Sequence, residues 1–350
     1  MKLYRNLYES IISTRNLFEA WEIFKHNKRN RPDVEAFEKN IEREIFKLAH
    51  ELRGRHYRHG PYRGFWIRDP KLRRIHKATV RDRVLHHAIF KILSPVFEPT
   101  FIPASFSCRV DKGTHKGVKY LAQALRAVSK NEANQCFVLK CDVRKFFDTI
   151  DHDILLDLLQ KKIADTDTLN LLEEIIKSYT AGLSRENALR RGVPIGNLTS
   201  QLFANIYMNE FDQFVKHELR VKYYARYTDD FVIISEDHAY LEILIPNIAE
   251  FLHTRLALSL HPNKVSIRKY RRGVDFLGYV ALPRHIMVRQ NTERRIFRKL
   301  RERVKGFKAG IVTKTSLLSS LNSYLGVLSH ADAHEVAQKL KNNFWFWLKE

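Results

Sequence analysis

Two apolar runs, Val221 to Tyr227 and Phe231 to Ser235, are separated only by Thr228, Asp229 and Asp230. So short a gap leaves one arrangement, antiparallel pairing through a tight turn. The turn presents two adjacent carboxylates. A third apolar run, Cys136 to Asp142, is a short strand that also ends in a carboxylate. Neighbouring strands place their ends about 5 Å apart, so Asp142 and Asp229 are suited to bridging two Mg²⁺ ions ~3.5–4 Å apart through hard oxygen ligands. Taken alone, two turn aspartates are more often simple turn residues hydrogen-bonding their own backbone. Their company decides between these readings.

The chain of 350 residues is long enough for two or three packed units, and a hydrophobic content of 44% permits a sizeable core. Sixty-one Lys and Arg against thirty-nine Asp and Glu leave a formal net charge of +22. Such an imbalance points to a polyanionic partner, nucleic acid before an anionic membrane. No apolar run approaches the ~20 residues of a membrane span, and Met1 to Tyr8 lacks a signal-peptide core, so a cytoplasmic location is expected. Cys108, Cys136 and Cys141 form no C-x-x-C pair and are expected as reduced core or near-core thiols. His330 and His334 stand one helical turn apart without a further ligand nearby in sequence, which argues against zinc.

Periodicity places the elements. Helices are predicted over Tyr4 to Lys25, from Asp33 through Phe37, Ile41, Ile45, Leu48 and Leu52 to a stop at Gly54, and from Val80 to Phe97. Tyr62 to Arg68 and Leu72 to Lys77 read as a hairpin around Asp69-Pro70. Asp151 caps a helix over His152 to Lys161, and further helices cover Thr168 to Tyr179, Thr199 to Leu219 and Ala239 to Leu258. Short strands follow at Val265 to Arg268, Asp275 to Tyr279 and Ile286 to Val288, and Asn291 to Leu348 is helical and at first strongly basic.

The tract Val138 to Ile150 (Val-Leu-Lys-Cys-Asp-Val-Arg-Lys-Phe-Phe-Asp-Thr-Ile) and then Tyr227-Thr228-Asp229-Asp230 resemble the two catalytic blocks of reverse transcriptases, in the expected order. The resemblance implies an α+β right-hand polymerase: an N-terminal helical extension (1–60), fingers (61–135), a palm of antiparallel sheet and helices (136–288, with 160–198 returning to the fingers) and a helical thumb (289–350). It further implies that Asp142 and Asp229 bind two Mg²⁺ ions, for which Mn²⁺ can substitute, that Asp230 reinforces the negative field and that the Val143 carbonyl helps. Of Phe146 and Phe147, one is core; Phe147 is the gate whose ring excludes a ribose 2′ hydroxyl. Lys71-Leu72-Arg73-Arg74-Ile75 and Arg81-Asp82-Arg83-Val84 resemble the fingers blocks, with Lys71, Arg73 and Arg109 as candidates for the incoming triphosphate. Lys264, in Leu260-His261-Pro262-Asn263-Lys264, falls where polymerases place a cation that protonates the leaving pyrophosphate.

Two blocks, Ser105 to His115 (Ser-Phe-Ser-Cys-Arg-Val-Asp-Lys-Gly-Thr-His) and Gly196-Asn197-Leu198-Thr199-Ser200-Gln201, resemble the reverse transcriptases of diversity-generating retroelements. Group II intron-like enzymes mostly carry Gln before that glycine and Pro after that serine, where this chain has Ile195 and Gln201. Tyr324 to Ala331 resembles the thumb segment of the same branch. This resemblance implies copying of a template-repeat RNA with errors opposite adenine, diversification of a target gene, and a small basic accessory variability protein as partner. In the expected thumb, Arg294, Arg295, Arg298, Lys299, Arg301, Arg303 and Lys305 gather cations suited to gripping a template-primer duplex by its phosphates. Phe344 to Trp347 either stack bases or dock the last helix. The rival readings are a compact group II intron-like or antiviral-defence reverse transcriptase, and a non-enzymatic RNA scaffold that would have no reason to retain all three aspartates. No nuclease, RNase H or DNA-binding appendage is expected after the thumb.

Overall fold

The computed structural model describes residues 2–68, 72–181 and 190–350. In chain order it contains α1 (Leu7–Ile12), α2 (Thr14–Lys25), α3 (Pro32–Glu38), α4 (Ile41–Arg53), β1 (Arg63–Arg68), β2 (Leu72–Lys77), α5 (Val80–Phe97), α6 (Thr114–Val128), β3 (Phe137–Asp142), the single turn α7 (Phe146–Thr149), α8 (His152–Gln160), α9 (Thr166–Lys177) and α10 (Leu198–Gln213). There follow β4 (Tyr223–Tyr227), β5 (Asp230–Ser235), α11 (His238–Leu256), β6 (Ser266–Lys269), β7 (Val274–Phe276), β8 (Tyr279–Ala281), β9 (Ile286–Val288), α12 (Gln290–Lys308), α13 (Lys314–Leu328) and α14 (His334–Lys349). The class is α+β, and none of the described helices is long and apolar enough to cross a membrane.

Caps explain most boundaries. Asp151 accepts from the amides of Asp153 and Ile154 at the start of α8, as expected, and Thr79 accepts from Asp82 at the start of α5. The helix expected from Tyr4 to Lys25 is two, because Ser13 leaves the helical conformation (φ −55°, ψ 133°) and caps α2 by accepting from the Asn16 amide. The helix expected from Asp33 onward likewise breaks between Glu38 and Ile41. Periodicity runs across that break because α3 and α4 both bury apolar residues, Val34 and Phe37 in one and Ile45, Leu48 and Leu52 in the other. After α4 the left-handed residue is Arg55 (φ 56°), not Gly54, which stays helical. The strand expected over Asp275 to Tyr279 is a hairpin turning at Leu277-Gly278. Between Phe97 and Cys136, where no element is predicted, α6 buries Val118, Leu121, Ala122 and Leu125. Cys136 and Cys141 are buried, but Cys108 is exposed, contrary to expectation.

The chain divides into two compact units. The first comprises Met1–Arg109, Asp142–Val221 and Pro246–Lys264. In it α5 packs against α2 and α10, and Trp21 sets its ring 5.1 Å from Phe37 and 5.9 Å from Phe24. The antiparallel hairpin of β1 and β2 has the register Phe65↔Ile75, and every residue of β1 is exposed. The second unit comprises Val110–Cys141, Lys222–Ile245 and Val265–Glu350. Its four-stranded sheet runs in the order β4-β5-β3-β6, with α6 against β4 and β5. A three-stranded sheet in the order β7-β8-β9 adjoins a core of Tyr279, Val288, Leu300, Leu321, Leu340 and Phe344 among α12, α13 and α14.

A buried polar chain crosses the first unit. The Nδ1 of His59 lies 2.6 Å from the Gly60 carbonyl, which only accepts, so Nδ1 carries the proton. The Nε2 of His59 must then accept from the Nε2 of His86 at 3.2 Å, and the Nδ1 of His86 accepts from the Thr199 hydroxyl at 2.7 Å. Both rings are neutral. Burial first, and then His59, push the pKa of His86 down to about 3. Because the folded value lies below the unfolded one of ~6.5, this contribution to stability is present above pH 6.5 and is lost as pH falls from there toward 3. In urea unfolding between pH 6.5 and 4.5, His86→Gln should remove up to about 1.4 kcal/mol per pH unit from the slope of stability against pH. An identical slope in the variant would refute the neutral-ring assignment.

Candidate functional site

The β4–β5 hairpin pairs Tyr227 with Asp230, so its loop is Thr228 and Asp229 alone. Thr228 takes a positive φ of 59°, as tight two-residue hairpin loops require. Arg226, fully buried in β4, donates from Nη1 to the Thr228 carbonyl at 2.9 Å and fixes the loop from beneath. Asp230 is therefore the first residue of β5 and not a turn residue, contrary to expectation. The next strand is β3, where burial first and then the charge of Asp230 push the Cys141 thiol up to about 12. Lys140 Nζ stands 3.7 Å from Asp230 Oδ2 and donates to the Asp275 carbonyl at 2.9 Å. The Asp275 carboxylate is ion-paired with Arg289, whose guanidinium also feels the field of Asp230. Sequence reasoning passed over both cations, although Lys140 lies within the first catalytic block.

In the first unit, Asp142 Oδ1 accepts from Lys264 Nζ at 2.6 Å, and the Asp142 carbonyl accepts from the His261 amide at 2.7 Å. Val143, 1% exposed, bridges to Leu260, and the Arg144 amide donates to Ser259. The segment from Ser259 to Lys264 thus clamps the block around Asp142. Lys145 then turns left-handed (φ 48°), opening α7. That turn separates the two phenylalanines: Phe146 is core, while Phe147 is half-buried, with its ring 5.3 Å from Phe146 in an edge contact. The Phe147 carbonyl takes the Val193 amide at 2.8 Å, which ties the block to the strand-like segment before Ile195.

A cavity of about 840 Å³ in the same unit is lined by Arg73, Arg74, Lys145 and Asp148, with Tyr62, Trp66, His76, Tyr179 and Ile195 among its walls. Three cations face one carboxylate there, which suits a polyphosphate. Burial first and then Arg74 lower the pKa of His76, so it is neutral and does not add to that charge. The Ile195 carbonyl accepts from the His76 amide at 3.3 Å. Beside it Gly196 has φ 117°, and a Cβ there would lie 3.1 Å from Ile75, so glycine is required. Gln201 does not share this cavity; it lines a separate one of about 380 Å³ with Phe65, Ile75, Lys77 and Leu198. Arg109 turns inward: its guanidinium pairs with Glu98 at 2.7 Å and donates to the carbonyls of Ile102 and Ser105, leaving the side chain 6% exposed. It therefore braces the segment from Glu98 to Arg109 and is not presented to a triphosphate. Lys71 lies outside the described residues.

On α12, Arg294, Arg298, Arg301 and Lys305 are exposed at spacings of four, three and four, one continuous stripe. The seven expected cations are not a single surface. Arg295 and Lys299 are half-buried, and Arg303 donates to the hydroxyls of Ser316 and Ser320 on α13. At ~100° per residue, position 303 falls about opposite the stripe.

Asp142 and Asp230 offer the hard oxygen donors that Mg²⁺ takes, and each stands beside a lysine ammonium. Among the described residues no three His, Cys, Asp or Glu side chains form a cage for an ion. Mg²⁺ needs none, since it is ordinarily held by one or two carboxylates plus water and substrate phosphates.

Residues 68–281, more than half of the chain, match the model of the family described as reverse transcriptase (RNA-dependent DNA polymerase). Protein YkfC of Escherichia coli is 27% identical over 67% of this chain and 70% of its own length. The group II intron-encoded protein LtrA of Lactococcus lactis is 28% identical over 52% of this chain, and an uncharacterized 91 kDa protein in the cob intron of Schizosaccharomyces pombe is 27% identical over 61%. The matches span 30% and 26% of those two relatives' lengths. With its carboxylate hairpin, its neighbouring strand and its cationic cavity, this chain belongs to the reverse transcriptase family, the RNA-directed DNA polymerases.

Proposed function

We propose that the chain copies an RNA template into DNA with Asp142, Asp229 and Asp230 as its catalytic carboxylates, and that the copy carries errors opposite adenine that diversify a target gene. One observation carries the catalytic part. In the second unit Lys140 of β3 reaches the Asp230 that follows Asp229 in the hairpin, within a chain whose residues 68–281 match the reverse transcriptase family. When bound, two Mg²⁺ ions would activate the primer 3′ hydroxyl and neutralise the triphosphate. Arg73, with Arg74 and Lys145, holds the triphosphate in the 840 Å³ cavity. Lys264 Nζ, hydrogen-bonded to Asp142, supplies a proton to the departing pyrophosphate, and Phe147 screens the sugar. In this reading the β1–β2 hairpin belongs to fingers, the four-stranded sheet to a palm, and α12 to α14 to a thumb whose exposed stripe grips the duplex. A small basic accessory protein is the proposed partner.

Ile195 supports the diversifying role. It places an aliphatic wall in the cationic cavity where related enzymes carry an amide that orients the nascent pair. The second reading, a group II intron-like enzyme acting with its own intron RNA, is favoured by the relatives, two of which are named as intron proteins. Paired near-repeats differing at adenines beside the gene would distinguish the first reading from the second.

Primer extension on an RNA template with Mg²⁺ should fall by on the order of 10³-fold in Asp229→Asn/Asp230→Asn, since each lost metal contact forfeits several kcal/mol; extension equal to wild type would defeat the assignment. Arg73→Ala should raise the KM for dNTP by about 10-fold or more, as expected for losing a charge-assisted contact, and an unchanged KM would remove Arg73 from the triphosphate site. Ile195→Gln should lower misincorporation opposite adenine in sequenced products, and an unchanged error spectrum would leave Ile195 a packing residue.

A further inference from the structure

His152, the first residue of α8, is fully buried, yet only one of its two ring nitrogens is used. Its Nε2 lies 2.7 Å from the Gly192 carbonyl, which only accepts, so Nε2 carries the proton. Burial lowers the pKa of the ring, which is therefore neutral, and Nδ1 is a buried acceptor without a hydrogen-bond partner. A leucine would fill much the same space with no such unmet acceptor, whose burial costs stability. What histidine adds is the bond from Nε2. The carbonyl it holds is one end of a peptide group whose other end is the Val193 amide, and that amide donates to the Phe147 carbonyl at 2.8 Å. A trans peptide is planar, with its C=O and N–H directed to opposite sides, so holding the oxygen aims the N–H. Gly192 has φ 98°, and a Cβ there would stand 2.7 Å from that of Ala181. Glycine offers the least resistance to rotation of the peptide that follows it. His152 supplies the resistance that Gly192 lacks.

The flanks of this peptide are tied by backbone bonds, from the Gly192 amide to the Ile150 carbonyl at 2.7 Å and from the His152 amide to the Arg190 carbonyl at 3.0 Å. Segment 190–193 therefore lies along segment 147–152, and the bond from His152 sets the orientation of the peptide nearest Phe147. We propose that His152 is a positioning residue for sugar selection: by holding the peptide between Gly192 and Val193 it fixes the backbone of Phe147, whose ring screens the 2′ position of the incoming nucleotide. His152 acts from the core through this peptide. Without its bond the peptide rotates about Gly192, the Val193 amide leaves the Phe147 carbonyl, and the single turn α7 is free to shift. A displacement of about 1 Å is enough to spoil a contact of this kind. The inference rests on the proposed function in taking Phe147 as the sugar gate.

The test is the ratio of kcat/KM for a deoxynucleotide to kcat/KM for the matching ribonucleotide, measured for the full-length chain in primer extension on an RNA template with Mg²⁺. Both values come from one preparation, so the ratio does not depend on how much of the protein is folded. His152→Leu should lower the ratio by about tenfold, as expected for one lost buried hydrogen bond, chiefly by admitting the ribonucleotide. His152→Gln, whose side-chain amide can donate to the same carbonyl, should keep the ratio near that of wild type. A ratio as low in His152→Gln as in His152→Leu would overturn the proposal, because the donor would then be irrelevant. So would a His152→Leu enzyme that slows both sugars equally, since that is what a purely structural histidine does. Phe147→Ala, measured alongside, separates the two readings. If it collapses the ratio while His152→Leu leaves it unchanged, the gate stands and the positioning role falls. If neither variant moves the ratio, the gate assigned to Phe147 falls and the positioning role with it. A ratio that depends on His152 but not on Phe147 would also overturn the proposal, since the effect would not pass through that ring.

Discussion

A carboxylate that is partly withdrawn from water is held in place where fixed positive charge stands beside it. In this chain that charge is built into the backbone pattern. In the second unit Lys140 reaches Asp230 from β3 and Arg289, paired with Asp275, adds its field; in the first unit Lys264 is carried to Asp142 by the turn beginning at His261. The buried guanidinium of Arg226 holds the intervening loop by the Thr228 carbonyl. Acidic residues placed in this way are held in position by their partners.

The same economy appears around the cationic cavity. Arg73, Arg74 and Lys145 are left facing open space, while Arg109, equally basic and lying in an equally distinctive block, is drawn into Glu98 and two carbonyls. Neutral histidines separate charge from charge. His76 is kept uncharged beside Arg74, and His86 and His59 run a directional chain of hydrogen bonds from Thr199 to Gly60. In a chain with a net charge of +22, the location of each partner acid tells the cations that serve packing from those left facing a cavity.

Elements with a strong local signal were legible in the sequence. The hairpin around Asp229, the capped start of α8 at Asp151 and the whole of α5 lie where periodicity and caps put them, because each is decided by neighbours within a few residues. Breaks inside long apolar patterns were not legible: Ser13 and the residues between Glu38 and Ile41 interrupt helices whose hydrophobic faces continue across the gap. The α6 helix carries an ordinary amphipathic pattern but follows a loop with left-handed residues at Cys108, Asp111 and Gly113, which masks its start.

The sequence by itself determined the family, the order of the carboxylate-bearing strands and the basic character of the surface, since these depend on residue types and on spacing along the chain. Tertiary structure decided which cations are available. Arg303 is bonded to serines of α13, Arg109 is buried, Phe146 rather than Phe147 enters the core, and Ile195 and Gln201, six residues apart, line different cavities. The turn of the chain between two such residues, and the acid or carbonyl that happens to lie within 3 Å of a side chain, are set by contacts between segments far apart in sequence. Local pattern carries no record of those contacts.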